Sequence, residues 1–300
     1  MDQRDAVLAL YDRQMRRGAV PDGPGARVGH VGGVVRQTAG QHGGWNGILW
    51  SDLDGTTVDG AVAGQVRHFA ALGREFEWKL YGHDRPAGLA DRLRAAGFVP
   101  EPTETLMVAA VGALRDLVVE LPAGVELREV TDGTGVELAV RAYGRAFGTD
   151  GSWLREHLLA QLSSPERTAV AVVAIADGEP VCSSRLESAP GRDFAGLWSG
   201  GTVPEWRGRG LYRASVAFRA RLAAERGHRF LQVDALPSSR PILERLGFTA
   251  LTTTTPFLYR PPAPAADRRP RCDGLPGGRQ PVESPAAARA RASRTGLSSG

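Results

Sequence analysis

LWSGGTVPEWRGRGLYRASVAFRARLAAERG, residues 197–227, decides how the rest of the chain is read. An apolar segment, Phe194 to Val203, runs into a turn carrying Gly208 and Gly210, and the turn opens into a run of helical period. A strand, a glycine turn and a helix start in that order make an anion site, because the first helical N–H groups lack intrahelical partners. Arg207 and Arg209 flank the glycines, so a diphosphate there would receive backbone N–H bonds and guanidinium bonds together. On spacing alone, the same pattern also describes a tight strand-to-helix turn with solvated arginines.

Downstream, an apolar run from Phe230 to Ala235 leads into SSRPILERLGF, residues 238–248. Together, VPEWRGRGLYRASV and this closing segment resemble the acyl-CoA pyrophosphate loop and cofactor-cleft closure of the GNAT superfamily of N-acetyltransferases. The loop in that family reads Arg or Gln, two residues, Gly, one residue, then Gly or Ala. Arg207, Gly208, Arg209, Gly210 and Leu211 fit it, and Tyr212 stands where a small residue is usual. The resemblance covers about 124–260 and, more faintly, 47–111. It implies an α/β (α+β) fold with a mixed, mostly antiparallel central sheet flanked by helices. It also implies acetyl-CoA as co-substrate, no metal, and a small-molecule or peptide amine as acceptor, with direct transfer in one ternary complex. By position it assigns Thr202 and Val203 to the pantetheine arm and Arg207 through Tyr212 to the pyrophosphate; Ser238 and Ser239, at the start of the closing helix, are offered as further cofactor contacts. Ser239 also suits a helix cap.

Proton handling is less determined. Many family members carry a tyrosine four residues before the glycine of the Leu-Gly-Phe closure, and that position here is Leu243. Glu205 and Tyr212 are then the candidate base and acid, with Glu187 and Tyr259 behind them. No histidine stands out: His83, His157 and His228 read as structural or surface residues. The missing tyrosine keeps open a second reading, a protein that binds acyl-CoA without turnover.

Composition bounds the alternatives. Of 300 residues 42% are hydrophobic, enough for one large or two ordinary cores, and no apolar run reaches membrane-spanning length. The amino terminus lacks a secretory apolar stretch, and two cysteines, Cys182 and Cys272, form no disulfide or metal pattern, so a cytoplasmic location is expected. The formal charge of +4 resides in 261–300, where seven arginines face three acids; the other 260 residues hold 30 bases and 30 acids. That Pro-, Ala- and Gly-rich tail is expected to be disordered, and a nucleic-acid or assembly role through it is the weakest of the three readings.

The amino-terminal half reads as helix 2–17, apolar segments 27–37 and 47–53 around the turn AGQHGG, helix 61–72, strand 75–81, helix 89–96 and strand 105–111. This order repeats in the second half: GILWS (47–51) parallels AGLWS (195–199), GREF (73–76) parallels GHRF (227–230), and LADRLRAAGF ends as RPILERLGF does. Two pseudo-repeated halves follow: 1–111 a partial, degenerate copy, 112–123 a connection, 124–260 the complete copy. The first copy carries DLDGTTVDGA where the second has its loop, and Asp52, Asp54 and Asp59 would repel a diphosphate.

Overall fold

The computed structural model describes residues 2–40 and 44–262. The first half runs α1 (Gln3–Tyr11), a π-helical turn (Asp12–Arg17), β1 (Arg27–Val31), β2 (Val34–Thr38), β3 (Gly47–Ser51), α2 (Val58–Ala71), β4 (Phe76–Tyr81), α3 (Leu89–Ala95), β5 (Val99–Pro100), β6 (Glu104–Ala110) and α4 (Val111–Leu114). The second runs β7 (Val125–Glu129), α5 (Gly133–Phe147), α6 (Ser152–Leu162), β8 (Ala169–Ala176), β9 (Glu179–Glu187), β10 (Phe194–Thr202), α7 (Leu211–Glu225), β11 (Phe230–Ala235), α8 (Arg240–Arg245) and β12 (Thr249–Tyr259). One expected strand is two: Gly32 and Gly33 both take positive φ and fold 27–38 into the β1–β2 hairpin. The connection 112–123 starts inside the turn of α4. The tail read as disordered, and Cys272 within it, lie outside the described residues beyond Pro262.

Local chemistry sets the second half. Asp177 and Gly178 both have positive φ, the primed turn that matches strand twist, and they join β8 to β9. Strand β8 is buried along its whole length, which is why AVAVVAIA shows no alternation: helices cover both of its faces. Asp132 caps α5 by accepting the Gly135 amide at 2.7 Å, and Gly148 ends it in the left-handed region.

All twelve strands belong to one sheet, ordered β1-β2-β3-β4-β12-β6-β11-β10-β9-β8-β7, with β5 also on β12. The halves exchange their closing strands. Strand β6, from the first half, pairs antiparallel with β11, whereas β12, the last strand, inserts between β4 and β6. The sheet therefore runs through the sequence boundary between the copies.

Two parallel pairs interrupt the antiparallel pattern, one per half. Strand β10 meets β11 only over Phe194–Gly196, and β3 meets β4 only over Gly47 and Ile48; beyond these short ladders the strands diverge. In the first half the gap is filled from within. Arg16, 1% exposed, donates from Nε to the Leu49 carbonyl (3.0 Å) and from Nη2 to both Asp84 oxygens (2.6 and 2.8 Å). Its Nη1 reaches Asp12 at 2.8 Å, and the guanidinium lies 3.7 Å over the Tyr81 ring and 4.7 Å over Trp50.

Removing one member of such a buried set strands the other charges, so Arg16→Leu is expected to cost about 3–5 kcal/mol in urea denaturation. A loss below about 1 kcal/mol would show that the guanidinium does not hold this gap. The strand exchange is expected to make residues 124–262 insoluble or unfolded alone, and co-expression with 1–123 should restore a native circular dichroism spectrum.

Candidate active site

In the second half the divergence stays open. After Gly196, β10 leaves β11 and also bulges against β9: Arg185 faces Trp198 and Ser183 faces Gly201, so Ser199 and Gly200 stand outside the ladder. Ser199 has φ +52, a strained value for a residue with a side chain. The opening leads to a cleft of about 720 Å³ bounded by β10, α5, the start of α7 and α8, by β4 and β6 of the first half, and by β12, which lies between those two strands.

At one end lies the mouth of α7. Gly208 (φ +74) and Gly210 (φ +80) are left-handed, and both line the cleft at the start of the helix. Among the described residues, the amides from Gly208 to Arg213 have no backbone acceptor; the first intrahelical bond is Ala214 N–H to the Gly210 carbonyl, 2.9 Å. The equivalent turn of the first half is closed. There Asp54 Oδ1 accepts the Thr56 and Thr57 amides at 2.8 and 2.9 Å, and both threonine hydroxyls as well. These bonds from Thr56 and Thr57 hold the carboxyl well below its ordinary range. An internal carboxylate thus fills the turn just ahead of α2, and the Asp54 carbonyl takes the first helical amide, that of Val58 (3.2 Å).

Thr202, Arg207, Gly208, Gly210, Leu211, Tyr212 and Ser239 all line the cleft. Arg207 is nevertheless committed to the fold: its Nε donates to the Thr202 carbonyl (3.2 Å) and its Nη2 to the Ala146 carbonyl (3.4 Å), tying β10 to α5. Arg209 lies outside the cleft wall, stacked 4.6 Å over Trp206. Val203 is fully buried and its amide is donated to Val181, so it offers no contact through either group. Ser239 does not cap α8; its hydroxyl donates to the Leu236 carbonyl at 3.2 Å.

Glu205 is not brought to the site. It sits on an exposed turn 3.6 Å from Arg145, outside the cleft wall, so it is placed to solvate that turn rather than to take a proton. Glu187 pairs with Arg185 at 2.7 Å, and Tyr259 packs against Phe76 and Phe98, away from the cleft. Leu243 is fully buried in the core, so no acid acts from that position. His228 binds the Arg192 carbonyl at 2.9 Å and His83 binds Asp12 at 2.8 Å, both structural uses. Cys182 is 1% exposed, and burial pushes its thiol up, away from reactivity.

Tyr212 has the strongest claim. Its ring crosses the bulge so closely that a Cβ on Gly200 would meet it at 2.9 Å. Burial pushes its phenol above the ordinary tyrosine range against the opposing pull of Arg219, so it stays protonated at neutral pH. Arg219, 1% exposed, was not legible beforehand: it donates to the Ser215 carbonyl (3.1 Å), to Ser215 Oγ (3.2 Å) and to the Arg185 carbonyl (3.1 Å). No carboxylate pairs with it among the described residues, which leaves a buried positive charge beside Tyr212 and the bulge. Arg213 and Arg245 also line the cleft.

The fold is that of the GCN5-related N-acetyltransferases. The chain is similar to a GCN5-related N-acetyltransferase from Kribbella flavida, with a TM-score of 0.62 and 24% identity over 88% of this chain and 96% of that one. It is also similar to a tandem GNAT protein from the clavulanic acid biosynthesis pathway (0.56, 15% identity, 85% and 92%). A GCN5-related N-acetyltransferase from Sphaerobacter thermophilus matches at 0.53 and 15% identity over 76% and 78%. No protein-family model matches the sequence, and no curated protein matches it. No helix among the described residues is long and apolar enough to cross a membrane, and no group of three or more His, Cys, Asp or Glu there could hold a metal ion.

The open amides set a direct expectation. In calorimetric titration with acetyl-CoA, Gly210→Glu should weaken binding at least ~100-fold, because the carboxylate both fills the turn and repels a diphosphate. Gly210→Ala carries the backbone strain without the charge and should weaken it less. Equal affinity for wild type and Gly210→Glu would remove the phosphate site from α7.

Proposed function

We propose that the chain is an acetyl-CoA-dependent N-acetyltransferase with an amine acceptor and direct transfer. The observation that carries this reading is the uncapped start of α7 at the open β10–β11 divergence, set against the turn ahead of α2 in the other half, whose amides the Asp54 carboxylate already takes. The residues fit the co-substrate: amides from Gly208 to Arg213 would hold its pyrophosphate, with Arg213 and Arg245 adding charge, and Thr202 would border its pantetheine arm. Acetyl-CoA supplies an already activated acyl group, so the chain has to position, polarise and manage protons.

The bulge at Ser199–Gly200 brings backbone to the centre of the cleft, where an N–H would polarise the acyl carbonyl. Tyr212, held protonated beside Arg219, stands in for the absent tyrosine at Leu243 as donor to the leaving sulfur. A second reading, acyl-CoA binding without turnover, is favoured by the buried Leu243 and the outward Glu205.

Tyr212→Phe separates the two. It is expected to lower kcat about 100-fold with little change in the KM for acetyl-CoA, because general acid catalysis contributes in that range. A wild type that binds acetyl-CoA yet releases no thiol with any member of an amine panel would establish the second reading. An unchanged kcat in Tyr212→Phe would take the phenol out of the mechanism.

A further inference from the structure

Arg185 of β9 lines the cleft, is 3% exposed, and has only part of its guanidinium satisfied. Its Nη2 ion-pairs with Glu187 at 2.7 Å, and the guanidinium lies 5.4 Å over the Trp153 ring. Its Nε and Nη1 are buried and find no hydrogen-bond partner among the described residues. A charged donor in that state is costly, so a ligand atom that accepts from it is strongly favoured. The β9–β10 ladder sets Arg185 opposite Trp198, next to the Ser199–Gly200 bulge. Arg219 adds charge of the same sign there: its Nη1 donates to the Arg185 carbonyl at 3.1 Å, and it has no carboxylate partner among the described residues.

The acids of the cleft are engaged elsewhere. Asp234 pairs with Lys79, Glu77 accepts the Trp45 indole N–H at 2.9 Å, and Glu101 and Glu104 have partners of their own. In the order β4-β12-β6-β11-β10-β9, Glu104 on β6 is three strands from Arg185, about 14 Å at the usual strand spacing, and Glu77 on β4 is two strands further. Nor do the donors belong to the phosphate site. Arg185 stands beside Ala171 in the ladder, on the sheet face that α5 and α6 cover, whereas α7 covers the face of the neighbouring Leu186. An anion on Arg185 therefore arrives with the acceptor. A carboxylate suits it better than a phosphate, because Glu187 already shares the guanidinium and would repel a doubly charged group more strongly than a singly charged one.

Resting on the acetyltransferase reading, we propose that the acceptor is an amino acid, with its carboxylate on the unspent N–H groups of Arg185 and its amine toward the β10–β11 divergence. Arg185 is then the residue that selects for the acid, and Glu187 tempers it by holding Nη2.

The probes are the common α-amino acids, β-alanine and 4-aminobutanoate, each beside its own carboxamide, with thiol release from acetyl-CoA as the readout. At least one acid is expected to show a kcat/KM at least ~100-fold above that of its carboxamide. Amine reactivity cannot produce that order for an α-amino acid, because the carboxamide has the less basic amine and more of it is unprotonated at neutral pH. In full-length Arg185→Gln the KM for that acid should rise at least ~10-fold while the Kd for acetyl-CoA stays within about twofold, and Arg185→Lys should keep part of the preference. Glu187→Gln removes the competing negative charge and should lower the acid's KM at least ~3-fold. The Glu187 side chain is 26% exposed, so this variant remains informative if the Arg185 variants fail to fold. Equal use of every acid and its carboxamide, an acid KM unmoved in both Arg185→Gln and Glu187→Gln, or no amino-acid turnover despite acetyl-CoA binding would each overturn the acceptor proposal alone. Failure of the wild type to bind acetyl-CoA would overturn the enzymatic reading beneath it.

Discussion

The structure depends on what satisfies the amides at the start of a helix. In the second half, the left-handed Gly208 and Gly210 line the cleft, and the amides from Gly208 to Arg213 find no backbone partner in the described chain. In the first half the matching helix starts at Val58, behind a turn whose Thr56 and Thr57 amides the Asp54 carboxylate already accepts. One carboxylate therefore separates two copies of one architecture. The copy with the open start has an open strand divergence in front of it, and the copy with the filled start has its divergence filled by Arg16. Charge has been turned inward in one half and left unmet in the other.

Strand exchange makes the two halves a single unit. Because β12 lies between β4 and β6, the carboxyl-terminal strand cannot be placed without the first half, and Glu77, Lys79 and Glu104 cannot avoid the cleft of the second. This gives the degenerate copy a reason to persist. A half whose turn is filled by its own carboxylate still supplies six strands, β1 to β6, to the shared sheet and one wall to the cleft.

Most of the element order was legible in the sequence, because turn chemistry and periodicity are local: Asp177-Gly178, the cap at Asp132 and the Gly208–Gly210 turn each act within a few residues. The exchange was not, because which strand lies beside which is decided by contacts across more than a hundred positions and leaves no periodic trace. The glycines of the candidate site lie along the cleft at the positions their turn pattern marks, whereas the flanking charges are used differently from their spacing. Arg207 and Arg209 flank the turn, yet one is used to tie β10 to α5 and the other to cover Trp206. The charges that do line the cleft stand singly in apolar strands, Glu77 and Lys79 in FEWKLY and Asp234 in FLQVDA; a charge in a strand otherwise fit for burial was the available signal. Arg219 hid in a helix rich in arginine, where only packing tells the buried one from the solvated ones.

Amide hydrogen exchange with and without coenzyme A tests the central claim most directly, because it reads the helix starts themselves. The account requires protection at the amides from Gly208 to Arg213 on adding coenzyme A, and no change at Thr56 and Thr57, whose amides Asp54 already holds. Protection absent from the first set, or equal in both, would contradict it.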